Sequence, residues 1–238
     1  MLRAILFDLD DTLFDHRHCA RAALAAVHRT HACFAALEFD RFERAHAEHL
    51  EALHIQVLAG HAQIDEARTE RFRRLLAAAG GDEREAEAAA KTYRTCYVAV
   101  RQPIPGAKAL LTRLREHARI GVVSNNLLAE QQEKLEQCAL GEHVDALVVS
   151  EETGISKPDP RIFEIALARL DATPAEALMI GDSWAADIEG ARAAGVPAIW
   201  FNPCGLESPD PLVPQIRQLQ PADRIANQIL DAYRAHRN

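Results

Sequence analysis

The sequence is poor in several things a protein can be built around. Of 238 residues only 5% are aromatic, two are Met, and of 27 basic residues four are Lys: Lys91, Lys108, Lys134 and Lys157. With so few rings, a base-stacking platform for single-stranded nucleic acid is not expected. The core must rest on Leu, Ile, Val and Ala. A net charge of −8 argues against a phosphate-tracking basic surface, so no nucleic-acid polymer is expected as a partner. The five cysteines (Cys19, Cys33, Cys96, Cys138, Cys204) are scattered without a C-x-x-C pair. That supports neither a zinc knuckle nor a disulfide framework. No run approaches the roughly 20 apolar residues of a membrane span. Residues 1–15 carry four Asp rather than a secretory signal's apolar stretch. A cytoplasmic protein with no membrane partner is the expectation.

What is present is the balance of an ordinary globular chain, 48% hydrophobic and 26% charged, so global disorder is not expected. Residues 2–7 form a short apolar run that stops abruptly in Asp8-Leu9-Asp10-Asp11-Thr12, the pattern of a buried strand entering a polar loop. A long helix-favouring stretch without strands then runs to Gln102. Its stops are Gly60 and Gly80-Gly81. Within it His46 and His49 are spaced i,i+3, and without further ligands nearby they are expected on a solvated helix face. His16 and His18 follow the polar loop closely enough to be candidates for touching a substrate. Pro103-Ile104-Pro105-Gly106 marks a change of pattern. Beyond it strands expected at 120–123, 144–149, 178–180 and 196–201 alternate with helices at 107–117, 127–138, 160–170, 185–194 and 222–234. This alternation predicts an α/β fold, a doubly wound parallel sheet covered on both faces, with an all-helical unit inserted after the first strand. The expected core is 1–15 with 103–238, and the expected insertion is 16–102.

Ligands of open parallel sheets sit at the carboxyl ends of the strands. Here those ends carry Asp8 and Asp10, then Ser124 and Asn125, then Asp182, with Lys157 in a polar segment after the third strand. Crowding carboxylates costs about 4 kcal/mol per pair at 4 Å with an effective dielectric near 20. Such a cluster calls for a cation, and oxygen-only ligands with open positions favour Mg²⁺. A cation and a Lys would also remove the repulsion between an anionic nucleophile and a phosphate dianion.

Four segments resemble the ordered motifs of the haloacid dehalogenase-like phosphohydrolases. Phe7-Asp8-Leu9-Asp10-Asp11-Thr12-Leu13 looks like the D-x-D-x-T motif. Val122-Val123-Ser124-Asn125, Lys157-Pro158-Asp159-Pro160, and Gly181-Asp182-Ser183 with Asp187 look like the second, third and fourth. The resemblance implies a Rossmann-like core and a mobile helical cap. It implies Asp8 as a nucleophile that forms an aspartyl-phosphate and Asp10 as general acid and base. It places Mg²⁺ on the Asp8 carboxylate, the Asp10 backbone carbonyl and Asp182. Thr12, Ser124, Asn125 and Lys157 would serve the phosphoryl group or its loop. Asp187 and Ser183 would act one layer further out, Asp187 through water or by orienting Lys157. The nearest likeness is to bacterial nucleotidases and sugar-phosphate phosphatases with a small helical cap. The function so implied is Mg²⁺-dependent hydrolysis of a small phosphorylated metabolite by a monomer or homodimer. A phosphotransferase or mutase on the same fold is the alternative. A 2-haloacid dehalogenase is disfavoured by Asp10, and a phospho-accepting receiver by Asp10 and the long insertion.

Overall fold

The computed structural model describes residues 1–236. The chain divides into two compact units, His16–Arg101 and Met1–Asp15 with Gln102–Asn238. Gln102 goes with the second unit, one residue from the boundary drawn at Pro103.

The first unit holds four helices, α1 (His16–Thr30), α2 (Phe39–Leu58), α3 (Ile64–Ala78) and α4 (Ala86–Ala99). Six of the chain's 13 aromatic residues fall here (Phe34, Phe39, Phe42, Phe72, Tyr93, Tyr97), so the rings the chain is short of are concentrated in this core. The expected helix from Glu83 begins as a separate tight turn, Glu83–Glu85, in which the Arg84 N–H donates to the Asp82 side chain. The expectation for His46 fails. It is buried between Phe72 and Tyr93, at ring distances of 5.7 and 5.0 Å. The reason is its register: Phe42, His46 and Leu53 share the inward stripe of α2, and 42 to 46 is one i,i+4 step.

The second unit is built on a six-stranded sheet: β1 (Ala4–Phe7), β2 (Arg119–Ser124), β3 (Ala146–Val149), β4 (Ala177–Gly181), β5 (Ala198–Phe201) and β6 (Gln215–Ile216). The order is β3-β2-β1-β4-β5-β6, and every neighbouring pair is parallel. All four residues of β1 are buried, which is why these strands read as unbroken apolar runs. The two-residue β6 was not expected, because a strand that short among prolines has no pattern to read. Helices α5 (Ala107–Leu114), α6 (Leu128–Gln137), α7 (Ser150–Thr153), α8 (Pro160–Arg169), α9 (Gly190–Ala193) and α10 (Ala222–His236) fill the connections. Asp159 accepts from the Arg161 N–H at the head of α8, with Pro160 in the first turn, a start signal visible in the sequence. Phe163, Ile162 and Leu167 of α8 pack with Val123, Met179, Ile188 and Trp200 into a buried apolar core. The expected helix over 185–194 instead opens as a wide π-helical turn, Trp184–Glu189, before α9.

From β1 the chain winds outward through β2 and β3, then returns to the other side of β1 as β4. The change of direction lies between β1 and β4, where such sheets bind ligands. Register aligns the strand ends there: Phe7 pairs with Val122 on one side and Ile180 on the other.

Candidate active site

Beyond Phe7 the chain stays attached to β4 for one more residue, since the Asp8 N–H donates to the Ile180 carbonyl at 3.0 Å. It then folds on itself. The Leu9 carbonyl accepts from Leu13 and Phe14 at 2.9 and 2.8 Å, and Asp11 takes a left-handed conformation, φ 62°, which Asp tolerates better than most residues. Thr12 is fully buried, and its Oγ1 accepts from the Asp182 N–H at 3.1 Å. It therefore joins the loop after β1 to the loop after β4. This is the loop-holding place expected of it.

The loop after β4 supplies two more carboxylates. The Trp200 indole N–H holds the Asp182 carbonyl at 2.8 Å. Ser183 caps the π-helical turn through the Ala186 N–H, and its own N–H donates to Asp187 Oδ2 at 3.0 Å. The turn directs Asp187 back under Gly181. A Cβ on Gly181 would lie 2.3 Å from Asp187 Oδ2, so glycine is required there for Asp187 to be inside. Asp8, Asp182 and Asp187 bring one carboxylate oxygen each to within 4.8 Å of one another.

Lys157 completes this half of the site. Its Nζ lies 2.7 Å from Asp8 Oδ1 and 2.6 Å from Asp187 Oδ1, with all three groups buried. Asn125, expected at the phosphoryl group, is bonded to the Lys157 backbone. Its Nδ2 donates to the Lys157 carbonyl at 2.8 Å and its Oδ1 accepts from the Lys157 N–H at 2.7 Å. It fixes the backbone that delivers the ammonium.

Burial pushes the Asp8 carboxyl well above its ordinary value; Lys157 opposes this, and Asp187 and Asp182 reinforce it. Burial also works against charge on Lys157, but Asp187 and Asp8 outweigh it and hold the ammonium above its ordinary range. Three carboxylates facing one ammonium leave the pocket short of positive charge. A hard divalent cation fits that deficit and this all-oxygen donor set.

Asp10 is held apart from this group by residues the sequence did not single out for the purpose. Lys134 Nζ lies 2.6 Å from Asp10 Oδ1, while Asn126 Nδ2 and Gln131 Nε2 donate to Oδ2 at 3.1 and 3.0 Å. Lys134 is 2% exposed and lies over the Phe14 ring, 5.0 Å from its centroid. Gln131 also donates to Ser124 Oγ at 2.6 Å, so Ser124, expected at the phosphoryl group, is also part of this network. The two cations thus divide the acids, with Lys157 taking Asp8 and Asp187 and Lys134 taking Asp10. A signal existed: Gln131 and Lys134 are i,i+3 on α6, hence on one face, and Lys is scarce in this chain.

Comparison with known proteins agrees with this architecture. The family model for haloacid dehalogenase-like hydrolases matches residues 2–195, and the chain belongs to that family. It is 35% identical over 209 residues to a ribulose-1,5-bisphosphate 5-phosphatase from Halopiger xanaduensis, covering 85% of this chain and 86% of that enzyme. It is 35% identical over 236 residues to a phosphoserine phosphatase from Thermus thermophilus, covering 88% and 92%. Among solved structures, the HAD-hydrolase YfnB of Bacillus subtilis, described as bound to magnesium, matches with a TM-score of 0.72 at 27% identity. The match covers 95% of this chain and 99% of that one. The protein is an enzyme of a hydrolase family with phosphatases among its relatives.

Proposed function

We propose that the protein is a phosphomonoester hydrolase acting on a small phosphorylated metabolite of the nucleotide or sugar-phosphate class. The observation that carries this reading is the division of the carboxylates between two buried lysines. One carboxylate, Asp8, lies against Lys157, an arrangement that supports its role as the nucleophile. A separate one, Asp10, is held by Lys134, Gln131 and Asn126, and its separation from Asp8 supports a distinct role in proton transfer.

In the first step an Asp8 oxygen forms a bond to phosphorus as the ester P–O bond breaks. Asp10 gives its proton to the departing alkoxide, leaving an aspartyl-phosphate on Asp8. In the second step Asp10 takes a proton from water, whose oxygen bonds to phosphorus while the bond to Asp8 breaks. Phosphate leaves and both carboxylates return to their starting states. Lys157 balances charge on the phosphoryl oxygens, and Asp187 and Asn125 keep it aimed. Mg²⁺, held by Asp8 and Asp182 with the Asp10 carbonyl, would supply the remaining neutralisation of phosphate charge.

The experiment is phosphate release from p-nitrophenyl phosphate. We expect turnover that requires Mg²⁺, stops with chelator, and disappears in Asp8→Asn. Undiminished turnover in chelator, or halide release from 2-chloropropionate without metal, would overturn the reading. Transfer of most of the phosphoryl group to added alcohol or sugar, rather than to water, would reassign the enzyme as a phosphotransferase.

A further inference from the structure

Helix α6 departs from its neighbours in what it turns inward. The buried residues of α5 and α8 are all Ala, Leu, Ile or Phe. Those of α6 are Gln131, Lys134 and Leu135. A polar side chain on the inward face of a helix is costly unless its polar atoms are met. Lys134 is met by Asp10. Gln131 is met only in part. It is fully buried, and its Oε1 has no hydrogen-bond partner among the described residues.

The amide nitrogen explains why the side chain stays this way round. Nε2 carries two protons, and it lies 3.0 Å from Asp10 Oδ2 and 2.6 Å from Ser124 Oγ. Each partner accepts one proton. Turned over, the amide would set its oxygen against the Asp10 carboxylate. The orphaned Oε1 is therefore the cost of serving Asp10 and Ser124 at once. Ser124 is 2% exposed, and Gln131 is the one hydrogen-bond partner of its hydroxyl among the described residues. A hydroxyl has a single proton to give. Gln131 engages a lone pair, so the Ser124 proton is turned away from Gln131 and is left to donate elsewhere.

We infer that Gln131 is a positioning residue that joins the two halves of the reaction. Through Ser124 it aims a hydroxyl proton at the phosphoryl group. Through Asp10 it fixes the acid that meets the leaving group. The inference rests on the phosphatase reading above. All three residues belong to the α/β unit, so the helical unit has no part in it.

The test uses the full-length protein with Mg²⁺, ethyl phosphate, p-nitrophenyl phosphate, and orthovanadate as a phosphoryl mimic. Gln131→Met keeps the length of the side chain and removes the amide. It should weaken orthovanadate inhibition about tenfold or more, and slow ethyl phosphate more than p-nitrophenyl phosphate. Ser124→Ala should weaken orthovanadate at least as much but slow the two esters equally. The double variant should bind orthovanadate no more weakly than Ser124→Ala alone, because the two residues share one interaction. Additive losses would show that Gln131 does not act through Ser124 and overturn the inference. A lowered melting temperature in Gln131→Met, with inhibition and leaving-group dependence unchanged, would mark a packing residue and overturn it too. Where Gln131→Met does not fold, wild type carries the test by NMR. Inorganic phosphate that shifts the backbone amides of the loop after β1 should also shift the Gln131 side-chain amide, and an unmoved side-chain resonance overturns the inference. Failure of wild type to hydrolyse p-nitrophenyl phosphate sinks the phosphatase reading by itself, and is seen before any variant is made.

Discussion

Lys134 shows how much one side chain decides here. Its ammonium is buried against Asp10 and over Phe14, and together with Gln131 and Asn126 it leaves the Asp10 carboxylate little freedom to rotate. General acid catalysis is worth about 10²–10⁴-fold, and most when the leaving group is a poor one. Lys134→Met should therefore slow alkyl phosphate hydrolysis far more than p-nitrophenyl phosphate hydrolysis, because nitrophenolate departs without a proton. Steady-state kcat over a series of leaving groups checks this, and an equal loss across the series would make Lys134 a packing residue. The Asp8–Lys157 pair was legible in the sequence because each member sits in a motif of its own. The Asp10–Lys134 pair was not, since no motif contains Lys134.

Among the elements, α2 carries the clearest conflict between pattern and outcome. Its inward stripe admits a histidine at position 46, and the histidine must stay neutral there. Burial, followed by the charges of Arg71, His16 and His49, holds His46 well below its ordinary value of 6.5. The unfolded chain binds a proton below that value while the folded chain refuses it. The stability is therefore fully present above pH 6.5 and declines as the pH falls below it toward the depressed folded value. Thermal melting from pH 7.5 to 5 should show a drop in midpoint that is smaller in His46→Phe; parallel curves would refute the assignment. The π-helical turn after β4 makes a similar point about local sequence. Residues 185–194 read as an ordinary helix, yet the wider turn at Trp184–Glu189 is what directs Asp187 beneath Gly181.

The α/β unit as a whole gathers Asp8, Asp182 and Asp187 against a single ammonium, so binding of a cation should also stabilise the folded unit. A ligand present at 100 times its dissociation constant adds about 2.7 kcal/mol. Calorimetric melting should move upward with Mg²⁺ in wild type and much less in Asp182→Asn, whose carboxylate is gone; an unchanged midpoint in wild type would count against a cation at this site. The sequence by itself determined the parallel α/β core, the helical insertion after β1 and the four strand-end motifs. Those features follow from local rules of apolar run length, glycine and proline punctuation, and the alternation of strand and helix. Only the tertiary structure decided the order β3-β2-β1-β4-β5-β6, the short β6, and which cation serves which acid. Residues 8 and 157, or 10 and 134, meet because parallel strands align their ends in space. A separation of 149 or 124 positions along the chain leaves no periodicity to read. The same reason hid the buried guanidinium of Arg71. Next to Phe72 in a helix it looks like any surface arginine, and only the packing of α2, α3 and α4 withdraws it from water.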